Sequence, residues 1–332
     1  MAAAFNGCSL IDEDLHNCGK ECKIEYELRL VTNMTTEINT QLDIITDLQV
    51  SDALKNYLSN IFTDYAHDID LSFYDVKEDS LRLHHENHIM DGSQTSYTLH
   101  IPVRHYMHTA AANVLENGTV KLDGDERCHT ARFLQEASDT IGVHRTGLFS
   151  ARLPMNVEEG IDQTFNVRLY MANCAAALVV TNEQCPKMRD MRVVTTGFAS
   201  GFALADSVYH FNGSSVIRAD RLDLPGMEKL CFVSVNFPSR DPLPTRSYIE
   251  TEEPFKGSGT GETLWEIQAY VTLEDGTVTR TVFSLDEPLR AGEFRILRAR
   301  TRGDGGLAPF DSKVGVSVEL GWRNVNYGDI NL

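Results

Sequence analysis

The chain has 332 residues, of which 42% are hydrophobic and 23% charged, a balance typical of a globular protein and not of a disordered one. Its formal net charge at pH 7 is -18, and such an acidic surface repels phosphate backbones, which argues against a nucleic-acid partner. The sequence contains no run of about 18 apolar residues that would predict a transmembrane helix.

A cysteine lies near the start of the sequence, before an acidic segment. Residues 5–8, Phe-Asn-Gly-Cys, place a small residue before Cys8 as the end of a lipobox does, although Phe5 and Asn6 are not the usual residues there. Residues 1–5 are too short and uncharged for a complete export signal. We expect residues 1–22 to be a signal remnant and tether, with a lipid on Cys8. The alternative is that Cys8 is an ordinary cysteine near a start codon and carries no lipid.

The first predicted strand follows at once and alternates regularly. Its apolar residues point one way and its charged residues the other, a period of two that indicates a half-buried strand. The apolar positions are Ile24, Tyr26, Leu28 and Leu30.

One helix is predicted after a polar stretch at residues 35–46. Apolar side chains recur at three- and four-residue spacing, and Ser51 or Asp52 is the expected N-cap. The positions on this face are Leu54, Leu58, Ile61, Phe62 and Tyr65.

Strand patterns dominate from Asp68 onward. Short alternating runs are separated by turn dipeptides such as Asn117-Gly118, and Asp275-Gly276 lies between two such runs as in a β-hairpin. Residues 177–180 form a continuous apolar strand, and the last strand alternates through Val314, Val316 and Val318 to Trp322. It is regular enough to be a buried closing strand or a strand donated to another subunit, and we expect the buried arrangement, because Trp322 and its neighbours would be costly to expose. The pattern predicts a β-sandwich or barrel protein.

No composition shift marks a linker between two halves. We place a domain boundary near Phe165, after the turn at residues 158–160, which gives an N-terminal domain of residues 23–165 and a C-terminal domain of residues 166–332.

Several short segments contain residue types found in metal or catalytic sites, but each is better explained as a surface turn or loop. Residues 84–88, His-His-Glu-Asn-His, lack the spacing of the zincin motif, so we expect a solvated hairpin end and no metal site. The Gly-rich residues 257–262 lack the ending of a phosphate loop, and Ser200 has the wrong glycine spacing for a nucleophile elbow. Arg302-Gly303-Asp304 is expected to be a turn.

Two groups of carboxylates could in principle act as a general acid and base, but neither contains a suitably placed pair. We expect Asp123, Asp125 and Glu126, and separately Glu158 and Glu159, to lie in solvated turns. The sequence therefore predicts no catalytic residue, no cofactor and no small-molecule substrate.

Seven cysteines are present, and the sequence does not fix their pairing. If Cys8 carries a lipid, six remain, for which any pairing is open: Cys18, Cys22, Cys128, Cys174, Cys185 and Cys231. We expect Cys174 and Cys231 to be buried thiols, while Cys18 and Cys22 could bridge locally.

The chain resembles the fimbrillin-associated anchor lipoproteins of Bacteroides-type fimbriae, in the minor-fimbria (Mfa-like) branch. The resemblance rests on short segments spread over nearly the whole sequence, and the helix at residues 51–65 has no counterpart in the family pattern. The segments are residues 8–15 with Cys18, residues 28–34, 69–75, 105–113, 275–276, 288–292 and 314–322.

The resemblance implies two tandem transthyretin-like Greek-key β-sandwich domains in an all-β, non-enzymatic lipoprotein. It implies palmitate or a similar lipid on Cys8, attachment to the outer membrane with Asp12, Glu13 and Asp14 associated with surface display, and fimbrial subunit proteins as partners. An anchor needs an edge or groove where the neighbouring pilin adds a strand. Whether the chain is an anchor, a tip or a shaft subunit stays open.

A glycan-binding β-sandwich lipoprotein is the alternative function. That alternative would need exposed aromatic side chains at loop tips, whereas both tryptophans, Trp265 and Trp322, lie within strand patterns.

Overall fold

The computed structural model describes residues 21–76, 80–90, 95–136, 138–211, 216–241, 263–311 and 314–322, with the backbone alone for 320–322. Over these residues most of the chain is in strands, as the alternating sequence predicts. The first nine strands are β1 (Glu21–Val31), β2 (Asp68–Asp75), β3 (Arg82–Ile89), β4 (Ser96–Pro102), β5 (His105–Ala112), β6 (Val120–Asp123), β7 (Arg132–Gln135), β8 (Phe149–Asn156) and β9 (Gln163–Met171).

Strands continue through the second half of the chain. The other described strands are β10 (Cys174–Thr181), β11 (Met188–Thr196), β12 (Gly201–Ala203), β13 (Val208–His210), β14 (Ile217–Arg218), β15 (Asp220–Arg221), β16 (Lys229–Asn236), β17 (Trp265–Leu273), β18 (Val278–Leu285), β19 (Phe294–Thr301), β20 (Leu307–Pro309) and β21 (Gly315–Trp322). The two helices are α1 (Met34–Leu42) and α2 (Leu48–Ile61).

The strands form four sheets. A seven-stranded sheet has the order β3-β2-β5-β8-β9-β1-β4, and a four-stranded sheet has the order β13-β12-β7-β6. The β10 sheet has the order β15-β16-β10-β19-β20, and the β17 sheet has the order β14-β11-β17-β18-β21. β1 is parallel to β9 and β10 is parallel to β19, while the other pairings are antiparallel.

The sheets pack as β-sandwiches, which confirms the predicted fold class. A buried hydrogen bond of 2.8 Å joins Thr195 on β11 to Ser234 on β16, so the β17 and β10 sheets face each other. A second apolar core lies between the seven-stranded and four-stranded sheets, with Tyr74, Leu148, Phe133 and Phe202 fully buried in it. Burial of aromatic side chains of this size is a large favourable term in folding.

The four-stranded sheet draws its strands from both halves of the chain. β7 pairs with β12, so that Phe133 lies opposite Phe202 across the predicted domain boundary. β9 also runs through position 165/166 and pairs with β1 in the seven-stranded sheet. We therefore propose residues 172–173, which follow β9, as the point where the chain first passes from one sandwich to the other, before it returns to the four-stranded sheet in β12 and β13.

Predicted strand faces agree with the structure in most cases. Ile24, Tyr26 and Leu28 are buried along β1, and residues 177–180 are buried throughout. β17 and β18 pair as the predicted hairpin, with Gly276 at a φ of +81° in its turn, a conformation that favours glycine.

The prediction of a single helix was wrong, because α1 occupies the stretch that we expected to be irregular. Met34, Ile38 and Leu42 recur every four residues and are buried on one face, while the residues between them are mostly polar. The apolar residues form only a narrow stripe on the helix, and the many polar residues between them made the segment resemble a loop.

The N-cap prediction for the second helix was also wrong. Asp47, not Ser51 or Asp52, caps α2, and its side chain accepts a hydrogen bond of 3.1 Å from the Val50 amide. Leu54, Leu58, Ile61 and Phe62 are buried as expected, whereas Tyr65 lies beyond the helix and is exposed.

Both helices pack against strands of the β10 sheet. α1 contacts β19 and α2 contacts β16. The Tyr57 hydroxyl donates a 2.7 Å hydrogen bond to Asp220, and Gln41 accepts one of 3.1 Å from the Ile296 amide. The helices thereby connect the N-terminal part of the chain to the C-terminal sandwich. Over the described residues, neither helix has the length and apolar character needed to cross a lipid bilayer.

Candidate functional site

The lipid-attachment prediction concerns residues outside the described part of the chain. Cys8, Cys18 and the acidic residues at positions 12–14 precede the first described residue, Glu21. The Gly-rich residues 257–262 also lie outside the described ranges. These sites therefore stay predictions.

A β-sheet binds an additional strand at its edges, because the backbone N–H and C=O groups on the outer side of an edge strand have no hydrogen-bond partner from a neighbouring strand. Of the described strands, eight lie at the end of a sheet, and five of these are only two to four residues long. The three longer edge strands are β3 with eight residues, β4 with seven and β21 with eight.

Two of the three long edges carry features that discourage strand addition. β3 contains Arg82, Glu86 and three histidines, so its edge is polar and charged. β4 ends in Pro102, which has no amide hydrogen to donate. Charge and proline are common means by which natural sheets protect an edge from unwanted pairing.

β21 lacks these features over most of its length. Its only charged residue is Glu319, which Arg280 of β18 holds through a contact of 3.3 Å. The strand pairs with β18 on one side, with Val316 opposite Phe283 and Val318 opposite Thr281, and its other side is the end of the sheet. The pairing register shifts between Val278 and Arg280.

The expected burial of this last strand is not observed for the side chains that are described. Val316 is 39% exposed and residues 315, 317 and 319 are exposed, while Val314 and Val318 are half-buried. The reason is that the strand lies at the rim of the sandwich. Besides β18 it contacts β20, and a Cβ atom on Gly306 would lie only 3.0 Å from Val318 Cγ1. β21 therefore presents apolar side chains and a sheet edge together.

The histidine cluster at residues 84–88 is divided between the two faces of β3. His84 and His88 each lie 2.9 Å from a different oxygen of Glu86 on one face. His85 lies on the other face, with its Nε2 atom 2.6 Å from Asp70 Oδ2. This division follows from the two-residue period of a strand, so consecutive histidines do not share a site.

The remaining candidate groups take part in local structure. Ser200 donates a hydrogen bond to the His210 carbonyl, and the Asp304 side chain accepts one from the Gly306 amide within a turn. Asp123 pairs with Arg132 at 2.7 Å. Asp125 forms an ion pair with Arg82, and Glu158 accepts a hydrogen bond from Asn156. Asp125 lies in a turn as predicted, but it is half-buried and not solvated, and Asp123 is the last residue of β6 because it pairs with Arg132 of β7.

The cysteines of the described residues are free thiols. Cys128, Cys174, Cys185 and Cys231 are buried and Cys22 is partly exposed, as expected for Cys174 and Cys231. Burial raises the pKa of the Cys174 and Cys231 thiols, so both favour the protonated, unreactive form.

The indole of Trp265 lies in the core and not at a loop tip. The side chain is 1% exposed, and its Nε1–H donates a 2.9 Å hydrogen bond to the Glu287 carbonyl. Trp265 therefore offers no platform for a sugar ring.

Comparison with known proteins places the fold among solved structures from Bacteroides. No family model and no curated protein sequence matches the chain. A candidate adhesin from Bacteroides ovatus, solved at 3.00 Å, aligns with a TM-score of 0.53 at 11% identity over 85% of this chain and 88% of its own. Another candidate adhesin from Bacteroides ovatus, solved at 2.50 Å, aligns with a TM-score of 0.52 at 8% identity over 90% of this chain and 96% of its own.

A weaker likeness, with a TM-score of 0.47, is to the fimbrial anchor protein Mfa2 from Porphyromonas gingivalis, at 10% identity over 91% of this chain and 100% of that protein. At such identities, the two adhesin structures show that this chain shares their β-rich fold over nearly its whole length.

Proposed function

We propose that this protein is a non-enzymatic cell-surface subunit of a fimbrium, and that it binds a neighbouring subunit through the edge of β21. The observation that carries the proposal is the position of β21 at the end of its sheet with Val316 exposed. The fold that the chain shares with candidate adhesins of Bacteroides supports the same function class.

The binding mode is addition of a strand to the sheet. An incoming strand would form main-chain hydrogen bonds with the outer side of β21, which supply affinity without requiring a particular sequence. Val316 and its neighbours on the same face would then be covered by side chains from the partner, which removes apolar surface from water. Both contributions come from the same eight residues.

The finer form of the proposal is an anchor. A lipid on Cys8 would hold the chain to the outer membrane, and β21 would hold the fimbrium to the chain. A single acyl chain gives marginal, reversible binding, so we propose the several acyl chains of a bacterial lipoprotein for a stable attachment.

Adjacent proline substitutions in β21 test the binding mode. Successive amides of an antiparallel strand point alternately toward and away from the neighbouring strand, so Val316→Pro and Ser317→Pro remove amide hydrogens on opposite sides of β21. One variant loses a hydrogen bond to β18 and melts at a lower temperature. The other loses a free-edge donor and keeps the wild-type melting temperature.

Binding to fimbriae sheared from the producing cells is then measured for both variants by surface plasmon resonance. We expect the variant with the wild-type melting temperature to lose at least about tenfold in affinity, since strand addition depends on main-chain hydrogen bonds. Wild-type affinity in that variant would contradict the proposed edge. Saturable binding of the wild-type chain on a glycan array, without binding to fimbriae, would favour the glycan-binding alternative.

A further inference from the structure

A cavity lined by carboxylates lies beside the edge strand β3 of the seven-stranded sheet. Its volume is about 480 Å³, and strands β2, β3 and β6 and the turn after β6 contribute to its lining. Four carboxylates line it, from Asp68, Asp70, Asp125 and Glu136, against a single lysine, Lys121. This excess of negative charge favours a cation in the cavity.

Three side chains in this cavity have the spacing of metal ligands. One ligand atom from each of Asp70, His85 and Asp125 lies within 4.8 Å of the others. His85 Nε2 lies 2.6 Å from Asp70 Oδ2 and donates a hydrogen bond to it. A cation that takes the place of the proton in this hydrogen bond would gain the imidazole nitrogen and the carboxylate oxygen as ligands.

Asp68 gives an independent indication of a ligand in the same cavity. The residue is 5% exposed, and its Oδ1 atom accepts hydrogen bonds from the amides of Val114 at 3.0 Å and Leu115 at 3.4 Å. Its Oδ2 atom is buried and has no hydrogen-bond partner among the described residues. A buried carboxylate oxygen without a partner is costly, because that atom has lost its contact with water and makes no hydrogen bond in exchange.

Strand geometry explains why these residues meet. Asp68 and Asp70 are two residues apart on β2, so both side chains lie on the same face of the sheet. Asp70 lies opposite Asn87 of β3 in the strand register, and His85 lies on the same face as Asn87, two residues away. The cavity thus receives residues from two neighbouring strands.

Asp125 reaches the cavity from the turn after β6, and backbone contacts hold this turn in place. The Tyr74 hydroxyl donates a 2.9 Å hydrogen bond to the Asp125 carbonyl, and the Arg82 amide donates one of 2.8 Å to the Glu126 carbonyl. The Arg82 side chain forms an ion pair with the Asp125 carboxylate. The Asp70 carboxylate is oriented in a similar way by a 3.2 Å hydrogen bond from Ser72. Such supporting contacts are typical of metal ligands.

We propose that Asp70, His85 and Asp125 bind a divalent zinc ion in this cavity, which the Asp68 side chain also lines. One imidazole and two carboxylates are ligands that Zn²⁺ accepts, whereas Ca²⁺ takes oxygen ligands only. The bound ion connects the edge strand β3 to the turn after β6, and thus joins the seven-stranded sheet to the four-stranded sheet.

The opposite face of β3 offers a matched control. His85 and His88 have equally exposed side chains, at 33% each, and each contacts a carboxylate. Only His85 belongs to the proposed site. His88→Gln and His85→Gln therefore remove the same chemical group from the same strand, on different faces.

Zinc binding to the full chain is measured by isothermal titration calorimetry in a reducing buffer for the wild type and for His85→Gln, Asp70→Asn and His88→Gln. We expect His88→Gln to bind within about twofold of the wild type, and His85→Gln and Asp70→Asn to lose at least about tenfold in affinity, as the removal of a ligand requires. An excess of Ca²⁺ leaves the wild-type titration unchanged.

The melting temperature is measured in EDTA and in Zn²⁺ as a second readout. We expect Zn²⁺ to raise it for the wild type and for His88→Gln but not for His85→Gln, while the values in EDTA agree among the three proteins. Absence of saturable zinc binding in the wild type would overturn the proposal, as would equal losses in His85→Gln and His88→Gln.

Discussion

Two buried histidines show how differently one residue type is accommodated in this fold. His108 donates a 3.0 Å hydrogen bond from Nδ1 to the Ser72 carbonyl and accepts one of 2.8 Å from the Tyr26 hydroxyl at Nε2. His144 packs edge-on against Phe237, and neither of its ring nitrogens has a hydrogen-bond partner among the described residues. Burial lowers the pKa of His108 to about 4 and the pKa of His144 to about 3.

These lowered pKa values make stability depend on pH in a defined window. An unfolded histidine titrates near 6.5, so between that pH and about 4 the unfolded chain binds more protons than the folded one. The stability that comes from keeping both rings neutral is present above pH 6.5 and decreases as the pH falls through the window.

His144→Leu tests this argument at a single residue. The substitution removes a buried polar ring without partners, so we expect it to raise the free energy of unfolding at pH 7 by about 1 kcal/mol. Between pH 6.5 and 4.5 the advantage grows by roughly 2–3 kcal/mol, because the variant no longer has this group to protonate. Urea unfolding at pH 7, 6.5 and 4.5 measures both effects.

His108→Leu is compared with His144→Leu in the same experiment, because His108 is equally buried but has hydrogen-bond partners. It leaves the Tyr26 hydroxyl and the Ser72 carbonyl buried without their partner, so it lowers the free energy of unfolding at pH 7 by roughly 1–3 kcal/mol. An identical pH dependence in the wild type and in His144→Leu would show that His144 does not titrate as proposed.

At the level of elements, the start of α2 shows what the sequence reveals and what it hides. The apolar positions of the helix follow from spacing alone, and so do the buried faces of β1, β10 and β17. The N-cap of α2 does not follow from the sequence, because Asp47 and Asp52 are both residues that are acceptable at an N-cap. In the folded protein Asp47 also pairs with Lys229 of β16, from a distant part of the chain, and the sequence does not reveal this contact.

Replacing Asp47 and Asp52 by alanine, one at a time, tests which of the two residues caps α2. We expect Asp47→Ala to lower the free energy of unfolding by about 1–2 kcal/mol, because the Val50 amide loses its acceptor. Asp52→Ala, at an exposed site within the helix, changes it by less than about 0.5 kcal/mol. Thermal or urea unfolding of both variants measures the difference, and equal effects would exclude Asp47 as the cap.

The candidate sites depend even more on long-range pairing. Nothing in the alternation of residues 314–322 distinguishes a central strand from an edge strand, because the position depends on which strands pair beside it. Likewise, Asp125 joins Asp70 and His85 only through the packing of a turn from another sheet. The spacing divides the histidines of β3 between the two faces and places Glu86 beside His84 and His88, but it does not reveal that Asp70 of β2 contacts His85.

At the scale of the whole molecule, the chain is a β-rich body in which the two sandwiches are joined. The four-stranded sheet takes β6 and β7 from one half and β12 and β13 from the other. The helices add contacts from Tyr57 and Asp47 to the β10 sheet. Relative motion of the two halves would break these pairings, so the arrangement favours a stiff connection between β1 and β21.

Replacement of the tether cysteine tests the anchor proposal in the intact protein. We expect Cys8→Ala to abolish labelling with palmitate and to release most fimbriae into the medium when the full chain is produced in its own cells, because the acyl chains supply the membrane attachment. Cys22→Ala, which changes a partly exposed thiol on β1, is the control and keeps both properties. Fimbriae that stay attached to Cys8→Ala cells in wild-type amount would contradict the anchor.

The placement of β1 has a mechanical consequence for such a molecule. β1 lies between β9 and β4, parallel to the first and antiparallel to the second, over most of its eleven residues. A tensile load applied at Glu21 along the strand therefore acts in shear on two ladders, whose hydrogen bonds share the force and break together. Within the chain, β21 has one described ladder, to β18, and a load across that ladder peels it one bond at a time. Under tension, the molecule would yield at β21 while β1 still bears the load.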